Sequence, residues 1–362
     1  MNADRRLAEV RRRIAASDID SFLANDASNV RYLTGFEQVF DTESASVVVV
    51  SAAHAWVYVD SRYHEAALEA ARGTPWKVCG PFSDVWRAAV ADIASNGAVT
   101  LGLESTVEHR RFASVSAEHA GEVVATEDVV EEIRAVKEDR EVERITAAAA
   151  IGDAAFVHVL ERIAAGVTER DIALELEVFM RRNGAEGVAF PPIVAGGPNS
   201  SKPHATCSER RFEFGDLIVL DFGARVDGYC SDMTRTVVLG RASEEQQSIY
   251  QVVFEANLAG LNALKAGRTG AEVDRAAREL IAARGFGDRF GHGLGHGVGL
   301  KVHEAPRLGP TGMSVLAAGC VATIEPGVYV PGMGGVRIED LAVVGETGCR
   351  VLTHASKDLV EL

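Results

Sequence analysis

The chain has 362 residues, of which 47% are hydrophobic and 25% are charged, and its formal net charge at pH 7 is −15. This length predicts two domains and a sizeable core, because one domain usually holds roughly 100–200 residues. An acidic chain lacks the basic surface that binds phosphate groups, so we expect no nucleic-acid partner.

The five cysteines are scattered along the chain and form no C-x-x-C motif. This pattern argues against a disulfide framework or a zinc ribbon, and it favours a reducing compartment. The N-terminus lacks the apolar core of a signal peptide. The longest uncharged stretch near it, residues 44–59, is too short to span a membrane. We therefore expect a cytoplasmic protein with no membrane partner.

Residues 1–125 alternate between helical and strand-like patterns. Apolar residues recur at helical spacing at Leu7, Val10 and Ile14, which predicts a first helix, and an apolar run follows it. Further strands are predicted at 47–50, at 55–59 and up to Leu103, and further helices at 62–71 and near 85–94. This alternation predicts a small α/β domain with a mixed sheet.

A segment dense in charge comes next, and we interpret residues 126–138 as a helical linker. The second domain then covers residues 139–362. Its helical patterns lie at 139–164, 169–183, 243–265 and 271–284, with short strand-like runs between and after them. Thr168 and Asp171 have the spacing of a capping box at the start of the second of these helices.

Two strand-like runs, 217–226 and 229–238, flank an Asp-Gly dipeptide. This arrangement predicts a hairpin with a two-residue turn. A hairpin closed at that turn places Asp221 opposite Thr234. Asp232 shares a face with Thr234, so the two aspartates become diagonal neighbours, roughly 7–8 Å apart at the backbone and closer at their side chains. That separation lets two carboxylates hold metal ions about 3.5–4 Å apart.

The same register places Gly223 opposite Asp232, where a missing side chain would leave space for a metal cluster. The alternative interpretation is a pair of solvent-facing aspartates near a turn. Apolar residues surround Asp221 in the sequence, and a buried carboxylate needs a partner or a metal. The surroundings of Asp221 therefore favour the metal interpretation.

Glycine alternates with other residues from Gly291 to Leu300. A helix is implausible at this glycine density, so the pattern predicts an extended segment whose glycine side admits close backbone approach. His292 and His296 then share one face, and His303 follows nearby. The spacing fits neither a phosphate-binding glycine motif nor H-E-x-x-H. A single histidine is usually an ordinary core or surface residue, but this group favours a metal or substrate site.

Two further strand-like runs, 321–330 and 335–344, are joined by a segment rich in proline and glycine. A hairpin centred in that segment places Glu325 opposite Glu339. Like charges in directly opposite positions destabilise a strand pair unless a cation lies between them. The sequence therefore contains a second pair of carboxylates that a bound cation would stabilise.

The two aspartates, the two glutamates and His296 together form a hard ligand set that consists mostly of oxygen atoms. Such a set suits Mn²⁺, Co²⁺, Fe²⁺ or Zn²⁺, and two ions rather than one. No cysteine occurs at ligand spacing, so a thiolate site is excluded.

At these residues the sequence resembles the pita-bread (M24) metallopeptidases, and within them the group of prolidases (Xaa-Pro dipeptidases) and aminopeptidases P. Five motifs carry the resemblance in order: Leu-Asp221-Phe-Gly, Ser-Asp232-Met-Thr-Arg-Thr, Gly-Leu-Gly-His296-Gly-Val-Gly-Leu, Ile-Glu325-Pro-Gly-Val-Tyr and Val-Arg337-Ile-Glu339-Asp. Three further segments agree with it: Asn199-Ser-Ser-Lys-Pro-His204-Ala, Asn29-Val-Arg-Tyr-Leu-Thr-Gly-Phe36 and Val59-Asp-Ser-Arg-Tyr63. The resemblance therefore covers nearly the whole chain.

The resemblance implies an α/β creatinase-like N-terminal domain, an α+β pita-bread catalytic domain with a curved antiparallel sheet, and a homodimer. It also implies two divalent metal ions, with Mn²⁺ favoured over Co²⁺, Zn²⁺ and Fe²⁺. Transferred residue by residue, Asp221 and Asp232 ligate one metal, and His296 and Glu325 ligate the other. Asp232 and Glu339 bridge the two.

The substrate side is implied in the same way. His204, His292 and His303 would line it and steady the scissile carbonyl and the tetrahedral intermediate. Arg307 and Arg337 are candidates for binding the substrate carboxylate or for holding a metal-binding carboxylate, and the resemblance does not divide these two roles between them.

The implied reaction is hydrolysis of the peptide bond preceding proline in Xaa-Pro dipeptides or short peptides, through a metal-bridging hydroxide. With His204 and His303, Glu325 is a candidate catalytic residue, since it or a histidine could pass the proton to the leaving nitrogen. The alternative is aminopeptidase P activity on longer peptides, although the compact length and the Pro-Arg307 motif favour the dipeptidase.

The resemblance has three further alternatives. A methionine aminopeptidase has the same fold, but it would not need an extra α/β domain of this size in front of it. Some relatives of this fold act on other small C–N or C–S substrates, and these stay an alternative. A non-catalytic binding module of the same fold would lack metal ligands, whereas all five ligand residues are present in this sequence.

Overall fold

The computed structural model describes residues 3–41 and 46–362. The chain forms two compact units, and the division between them follows Arg134. This division falls inside the predicted linker, whose bounds stay a prediction. Residues 44 and 45 of the uncharged stretch lie outside the described residues. The described helices include no candidate membrane span.

The N-terminal unit alternates strands and helices, as the sequence predicts. Its helices are α1 (Ala3–Ala16), α2 (Ala27–Thr34), α3 (His64–Ala70), α4 (Val85–Ser95) and α5 (His109–Glu118), and α6 (Glu131–Ala135) crosses the division between the units. Its strands are β1 (Ser21–Ala24), β2 (Val47–Ser51), β3 (Ala55–Tyr58), β4 (Lys77–Cys79), β5 (Thr100–Glu104) and β6 (Glu122–Thr126).

These strands form a six-stranded sheet in the order β4-β3-β2-β1-β5-β6. Strand β2 is antiparallel to β1 and β3, and the other neighbouring pairs are parallel. The predicted mixed sheet is therefore confirmed. The strands β1 and β2 are buried along almost their whole length, which explains why their sequences are continuously apolar instead of alternating.

The C-terminal unit contains four long helices and a set of mostly antiparallel strands. The helices are α7 (Asp139–Leu160), α8 (Glu169–Arg182), α9 (Glu244–Ala263) and α10 (Gly270–Ala283), with 3-10 turns at Gly197–Ser201 and Gly287–Arg289. The strands of its first half are β7 (Gly187–Val188), β8 (Ile193–Gly196), β9 (Leu217–Phe222), β10 (Ala224–Val226), β11 (Tyr229–Cys230) and β12 (Met233–Val238). Those of its second half are β13 (Gly295–Gly297), β14 (Glu304–Leu308), β15 (Val321–Ile324), β16 (Gly327–Val330), β17 (Gly334–Arg337), β18 (Asp340–Val344), β19 (Cys349–Val351) and β20 (Val360–Glu361).

The strands of this unit combine into four sheets, in the orders β11-β10-β7, β20-β12-β9-β8, β14-β13-β15-β18-β19 and β16-β17. Every pairing among them is antiparallel except that of β12 with β20. This mixture of helices and antiparallel sheet confirms the predicted α+β class.

Two helix pairs cover the strands and create the core. Helices α7 and α8 pack against β8, β9 and β12 through residues such as Leu176 and Leu220. Helices α9 and α10 pack against β15, β16 and β17 through residues such as Val253 and Ile324. The predicted capping box is confirmed, because Thr168 and the side chain of Asp171 exchange hydrogen bonds at the start of α8.

Candidate metal centre

The first hairpin forms with the predicted register. Asp221 pairs with Thr234 in the β9–β12 ladder, and Val226 pairs with Tyr229 on either side of the turn. The turn residues Asp227 and Gly228 have φ angles of 45° and 75°, which a tight two-residue hairpin turn requires.

Gly223 lies beside Asp232, but it serves a different purpose from the one expected. A Cβ atom at Gly223 would lie 1.9 Å from the backbone oxygen of Ser231. The glycine is therefore required because the two strands approach closely at this point, and not because metal ions need the space.

The second hairpin also agrees with the prediction. Gly327 pairs with Arg337 on one side of the glutamates, and Ile324 pairs with Asp340 on the other. Both pairings continue a single register, which places Glu325 opposite Glu339.

The glycine-rich segment is extended only in part. Strand β13 covers three residues, with a register shift between His296 and Gly297. A Cβ at Gly295 would lie 2.1 Å from Thr323 O, and one at Gly297 would lie 2.0 Å from Ala305 O. Both flanking strands therefore approach the bare side of the segment, as predicted, although the extended conformation does not reach His292.

One cavity of about 580 Å³ gathers nine of the ten predicted site residues. They are Asp221, Asp232, His204, His292, His296, His303, Glu325, Arg337 and Glu339. Arg307 is exposed and does not line this cavity, although it pairs with His296 across β13 and β14. The apolar wall consists mainly of Phe190, Pro191, Pro192, Ile193 and Val302.

The five predicted ligand side chains converge at the polar end of the cavity. His296 Nε2 lies 3.2 Å from Glu325 Oε1 and 3.7 Å from Asp232 Oδ2. Ligand atoms of Asp232, His296 and Glu339 lie within 4.8 Å of one another. Asp221 accepts a hydrogen bond of 2.6 Å from Arg337 Nη2.

Burial and mutual repulsion disturb the acidity of these groups. Burial raises the pKa of Asp232 well above its usual value, and the negative charges of Glu339 and Asp221 add to the effect. Burial also raises the pKa of Glu339 well above its usual value, assisted by Glu325 and Asp221. Burial likewise raises the pKa of Asp221, although Arg337 opposes it.

Glu325 differs from the other three carboxylates. Burial alone would raise its pKa, but the hydrogen bond and charge of His296 outweigh burial and lower it. The same contact raises the pKa of His296 against the effect of its own burial. Glu325 and His296 therefore form a partly neutralised pair, whereas Asp232 and Glu339 repel each other.

The donor set fits divalent cations. The atoms Asp221 Oδ1 and Asp232 Oδ1 are buried and have no hydrogen-bond partner in the described part of the chain. Buried polar atoms normally have partners, and buried carboxylates without one are costly. Four carboxylates and one imidazole supply the ligands that such cations prefer, so bound cations would satisfy the two lone oxygens and remove the repulsion.

Comparison with known proteins agrees with this geometry. The sequence profile of Metallopeptidase family M24 matches residues 143–346, and that of the Creatinase/Prolidase N-terminal domain matches residues 6–136. The chain belongs to metallopeptidase family M24.

Several relatives match this M24 chain over nearly their full length. The Xaa-Pro dipeptidase of Pyrococcus furiosus is 36% identical over 95% of this chain and 96% of its own length. The structure of an Xaa-Pro dipeptidase from Bacillus anthracis superimposes with a TM-score of 0.94 at 38% identity, covering 100% of both chains. An X-Pro aminopeptidase from Thermotoga maritima gives a TM-score of 0.88 at 36% identity, covering 98% of this chain and 99% of its own.

Membership of a metallopeptidase family implies divalent metal ions. Two buried threonines support two of the candidate ligand carboxylates, Glu339 and Glu325. Arg337 Nε donates to Thr234 Oγ1 at 3.0 Å, which leaves the hydroxyl proton for Glu339 Oε2 at 2.6 Å. The backbone N–H of His296 donates to Thr323 Oγ1 at 3.0 Å, and that hydroxyl donates to Glu325 Oε1 at 3.2 Å. Each threonine therefore occupies one oxygen of a glutamate.

The supporting role of these threonines was not predicted from the sequence, although strand alternation carries the signal. Thr323 precedes Glu325 by two residues and so shares its face. Tyr329 was missed as well: its hydroxyl accepts a hydrogen bond of 2.8 Å from Arg337 Nη1 and lies 3.0 Å from His292 Nε2. Burial raises the pKa of Tyr329 to about 12, so it stays a neutral link between the arginine and the histidine.

Proposed function

We propose that this M24 chain is a dipeptidase that hydrolyses the peptide bond preceding proline, with two divalent metal ions, Mn²⁺ favoured. The observation that carries the proposal is the convergence of four carboxylates and one imidazole at the end of one cavity, with two buried carboxylate oxygens unpartnered. The full-length similarity to Xaa-Pro dipeptidases supports the choice of substrate.

In this proposal Asp221 and Asp232 would hold one metal ion, His296 and Glu325 would hold the other, and Asp232 and Glu339 would serve both. The short distances from His296 to Glu325 and Asp232 support a shared centre. When bound, two such cations lower the pKa of a water molecule, to about 7 in favourable cases, and so supply a nucleophile at neutral pH.

The cavity suits a proline-containing substrate. The bond before proline carries no N–H, so recognition cannot depend on a backbone donor at that position. The apolar wall formed by Phe190, Ile193 and Val302 offers a contact surface for the ring. Hydrophobic walls with a few polar groups are typical of small-ligand sites.

The two arginines differ in their freedom to bind the substrate carboxylate. Arg337 is buried, and its donors are taken by Asp221, Thr234, Tyr329 and the backbone of Pro203. Arg307 is exposed, and its side chain makes no hydrogen bond or ion pair among the described residues. We therefore assign the substrate carboxylate to Arg307 and the orientation of Asp221 to Arg337.

Two histidines and Glu325 are the residues that would donate hydrogen bonds to the scissile carbonyl and transfer the proton. Burial lowers the pKa of His303, so it is neutral near pH 7 and can donate one ring N–H to a carbonyl oxygen or tetrahedral intermediate. Burial also lowers the pKa of His292, but its ring nitrogens contact Gly293 O at 2.8 Å and the Tyr329 hydroxyl at 3.0 Å. His292 therefore lines the site without a free N–H for the substrate. His204 lines the same cavity. Because its pKa is lowered, Glu325 is a carboxylate at neutral pH and can accept a proton and then deliver it to the leaving nitrogen.

A second candidate function is that of an aminopeptidase acting on longer peptides that begin Xaa-Pro. The close structural similarity to the X-Pro aminopeptidase from Thermotoga maritima favours it.

One assay separates the two candidates. The metal-replete enzyme is incubated with an Xaa-Pro dipeptide and, in parallel, with a longer peptide that begins with the same two residues. Release of free proline from the dipeptide, with the longer peptide intact, supports the dipeptidase. Cleavage of the longer peptide at a comparable rate assigns the aminopeptidase instead, and no cleavage of either substrate overturns the proposal.

Two wider expectations can be checked on the same sample. Metal analysis tests whether the enzyme binds two ions per chain. Assays with different divalent metals test whether Mn²⁺ gives the highest activity. Light scattering tests the homodimer that the family resemblance implies. The cytoplasmic location likewise stays a prediction.

A further inference from the structure

The segment that carries His204, residues 197–208, is anchored to the start of helix α8 by one carboxylate. That carboxylate belongs to Glu169, the first residue of the helix, whose exposed fraction is 0%. Glu169 does not line the cavity, and no step of the proposed reaction uses it.

The contacts of Glu169 join both ends of this segment. Its Oε1 accepts hydrogen bonds from Gly196 N at 2.8 Å and from Asn199 Nδ2 at 3.0 Å. Its Oε2 accepts from Asn199 Nδ2 at 2.9 Å, Ser208 N at 2.9 Å and Ser208 Oγ at 2.7 Å. The same side chain therefore holds both ends of the segment, and His204 lies between the two anchored ends.

All of these neighbours are donors. The hydroxyl of Ser208 accepts from Arg210 N at 3.1 Å, so its own proton is available to Glu169. Among the described residues Glu169 makes no ion pair, and its buried carboxylate is compensated mainly by these donors, with a longer-range contribution from the charge of Arg210. A glutamine of the same shape would turn an NH₂ group towards donors at one end, leaving buried donors unsatisfied.

His204 depends on its backbone for its position. Its side chain is exposed on the cavity surface and makes no hydrogen bond among the described residues. The segment is also fixed at three other points. Ser200 Oγ accepts from Gly335 N at 2.9 Å, Pro203 O accepts from Arg337 Nη1 at 3.2 Å, and Cys207 Sγ donates to Pro192 O at 3.1 Å. Glu169 differs from these three because one side chain holds both ends of the segment.

We propose that Glu169 is a positioning residue that sets the distance of His204 from the metal-binding cluster. The effect on catalysis rests on the proposed function, because it acts through the contact of His204 with substrate. A misplacement of about 1 Å can cost on the order of 100-fold in rate, so a carboxylate outside the cavity can govern turnover.

The first test compares E169Q with D171N. Asp171 caps the same helix through Thr168 and does not touch residues 197–208, so D171N is a matched control for loss of helix stability. We expect amide hydrogen exchange in residues 197–208 to become at least tenfold faster in E169Q and to stay unchanged in D171N. Unchanged exchange in a folded E169Q overturns the proposal. This measurement needs no substrate, so it stands even if the proposed activity fails.

The second test is a double-mutant cycle between E169Q and H204A, read as kcat/KM for an Xaa-Pro dipeptide. We expect about a 100-fold loss from E169Q in the wild-type background and less than about a threefold loss in the H204A background, because interacting positions are not additive. Equal losses in both backgrounds overturn the role assigned to Glu169.

A metal titration distinguishes an effect of E169Q on the position of His204 from an effect on the metal centre. The dissociation constant for Mn²⁺, measured by titration calorimetry, is expected to be the same in E169Q and wild type. A tenfold weaker affinity would show that the substitution acts on the metal centre and would contradict the proposal. If E169Q does not fold, S208A takes its place. This variant removes only the hydroxyl donor to the same carboxylate and keeps the backbone N–H, so we expect a smaller increase in exchange.

Discussion

Glu339 and Asp340 are neighbours in sequence and are both buried, yet their surroundings are opposite. Asp340 accepts hydrogen bonds from Arg235 at 2.9 Å and from Lys357 at 2.6 Å. Burial would raise the pKa of Asp340, but these two cations outweigh it and lower the pKa. Glu339 lies among other carboxylates, and its pKa is raised well above the usual value.

The difference shows that neighbouring carboxylates of one hairpin can serve different purposes, since Asp340 contributes to stability and Glu339 to the proposed function. The protein supplies Asp340 with its own cations, so this charge belongs to the permanent core. The carboxylates around Glu339 receive only part of the cation charge that they need, and the remainder must come from outside. A buried acidic group that the chain leaves uncompensated is therefore more informative about function than one that it neutralises.

The largest expected effect comes from D232A. Removing this carboxylate takes a ligand from both proposed metals, so we expect no detectable cleavage of an Xaa-Pro dipeptide with Mn²⁺ in excess. The metal-free variant should be at least as stable as wild type, because a repelling charge is gone. D227N, in the turn of the same hairpin, is the control and should keep full activity. Near wild-type turnover of D232A would disprove the ligand assignment.

D340A tests the other side of the comparison. It leaves the buried Arg235 and the partly exposed Lys357 without their carboxylate, which should lower the free energy of unfolding by about 3–5 kcal/mol. Urea denaturation measures the loss. The exposed pair of Glu177 and Arg181 is the control, since E177A should change stability by less than about 1 kcal/mol. Comparable losses in both variants would contradict this account of Asp340.

Added metal should act only on the cluster around Glu339. At a free Mn²⁺ concentration 100 times the dissociation constant, each site should raise the free energy of unfolding by about 2.7 kcal/mol. Chelation should remove this gain in wild type, and D232A should show little of it. A stability of wild type that does not respond to metal would count against the site.

The two clusters also contain comparable threonines. Thr234 donates to Glu339, and Thr353 donates to Asp340 at 3.0 Å. Replacing Thr234 by valine should weaken Mn²⁺ binding about 10–100-fold, the usual effect of removing a support for a metal ligand. T353V should leave the affinity unchanged. Titration calorimetry distinguishes the two, and equal affinities in both variants would show that Thr234 does not orient Glu339.

The smallest expected effect is a difference in pH dependence. In the metal-free protein the raised pKa of Glu339 means that its ionisation destabilises the fold, and this penalty disappears as pH falls through that raised pKa. E339Q should therefore be more stable than wild type at pH 8, with a gap that narrows towards pH 5. The lowered pKa of Asp340 works in the opposite sense, so D340N should be less stable than wild type near neutrality. That deficit should shrink only below about pH 4. Denaturation curves across this range would refute the assignment if both variants shifted in one direction.

The sequence was sufficient for the parts of the site that depend on strand register. An Asp-Gly turn fixes the pairing of Asp221 with Thr234, and the second hairpin fixes Glu325 opposite Glu339. Both relations follow from the period of a strand and the length of a turn, which are local properties.

Contacts between segments that are distant in sequence could not be predicted from strand period and turn length. The anchoring of residues 197–208 by Glu169 depends on how helix α8 packs, and a glutamate at the start of a helix has an ordinary local explanation. Gly223 was predicted to leave space for metal ions, whereas the structure shows that it permits the close approach of Ser231. This contact becomes visible only once both strands are in place.

The strand pairing at Glu325 and Glu339 has a consequence for how the chain acquires its native structure. A shift of one residue in that hairpin would send the two glutamates to opposite faces of the sheet. Without metal, their repulsion disfavours the correct alignment and makes misaligned forms relatively more competitive. Divalent cations reverse this bias, so during folding they would select the properly aligned hairpin before any peptide is cleaved.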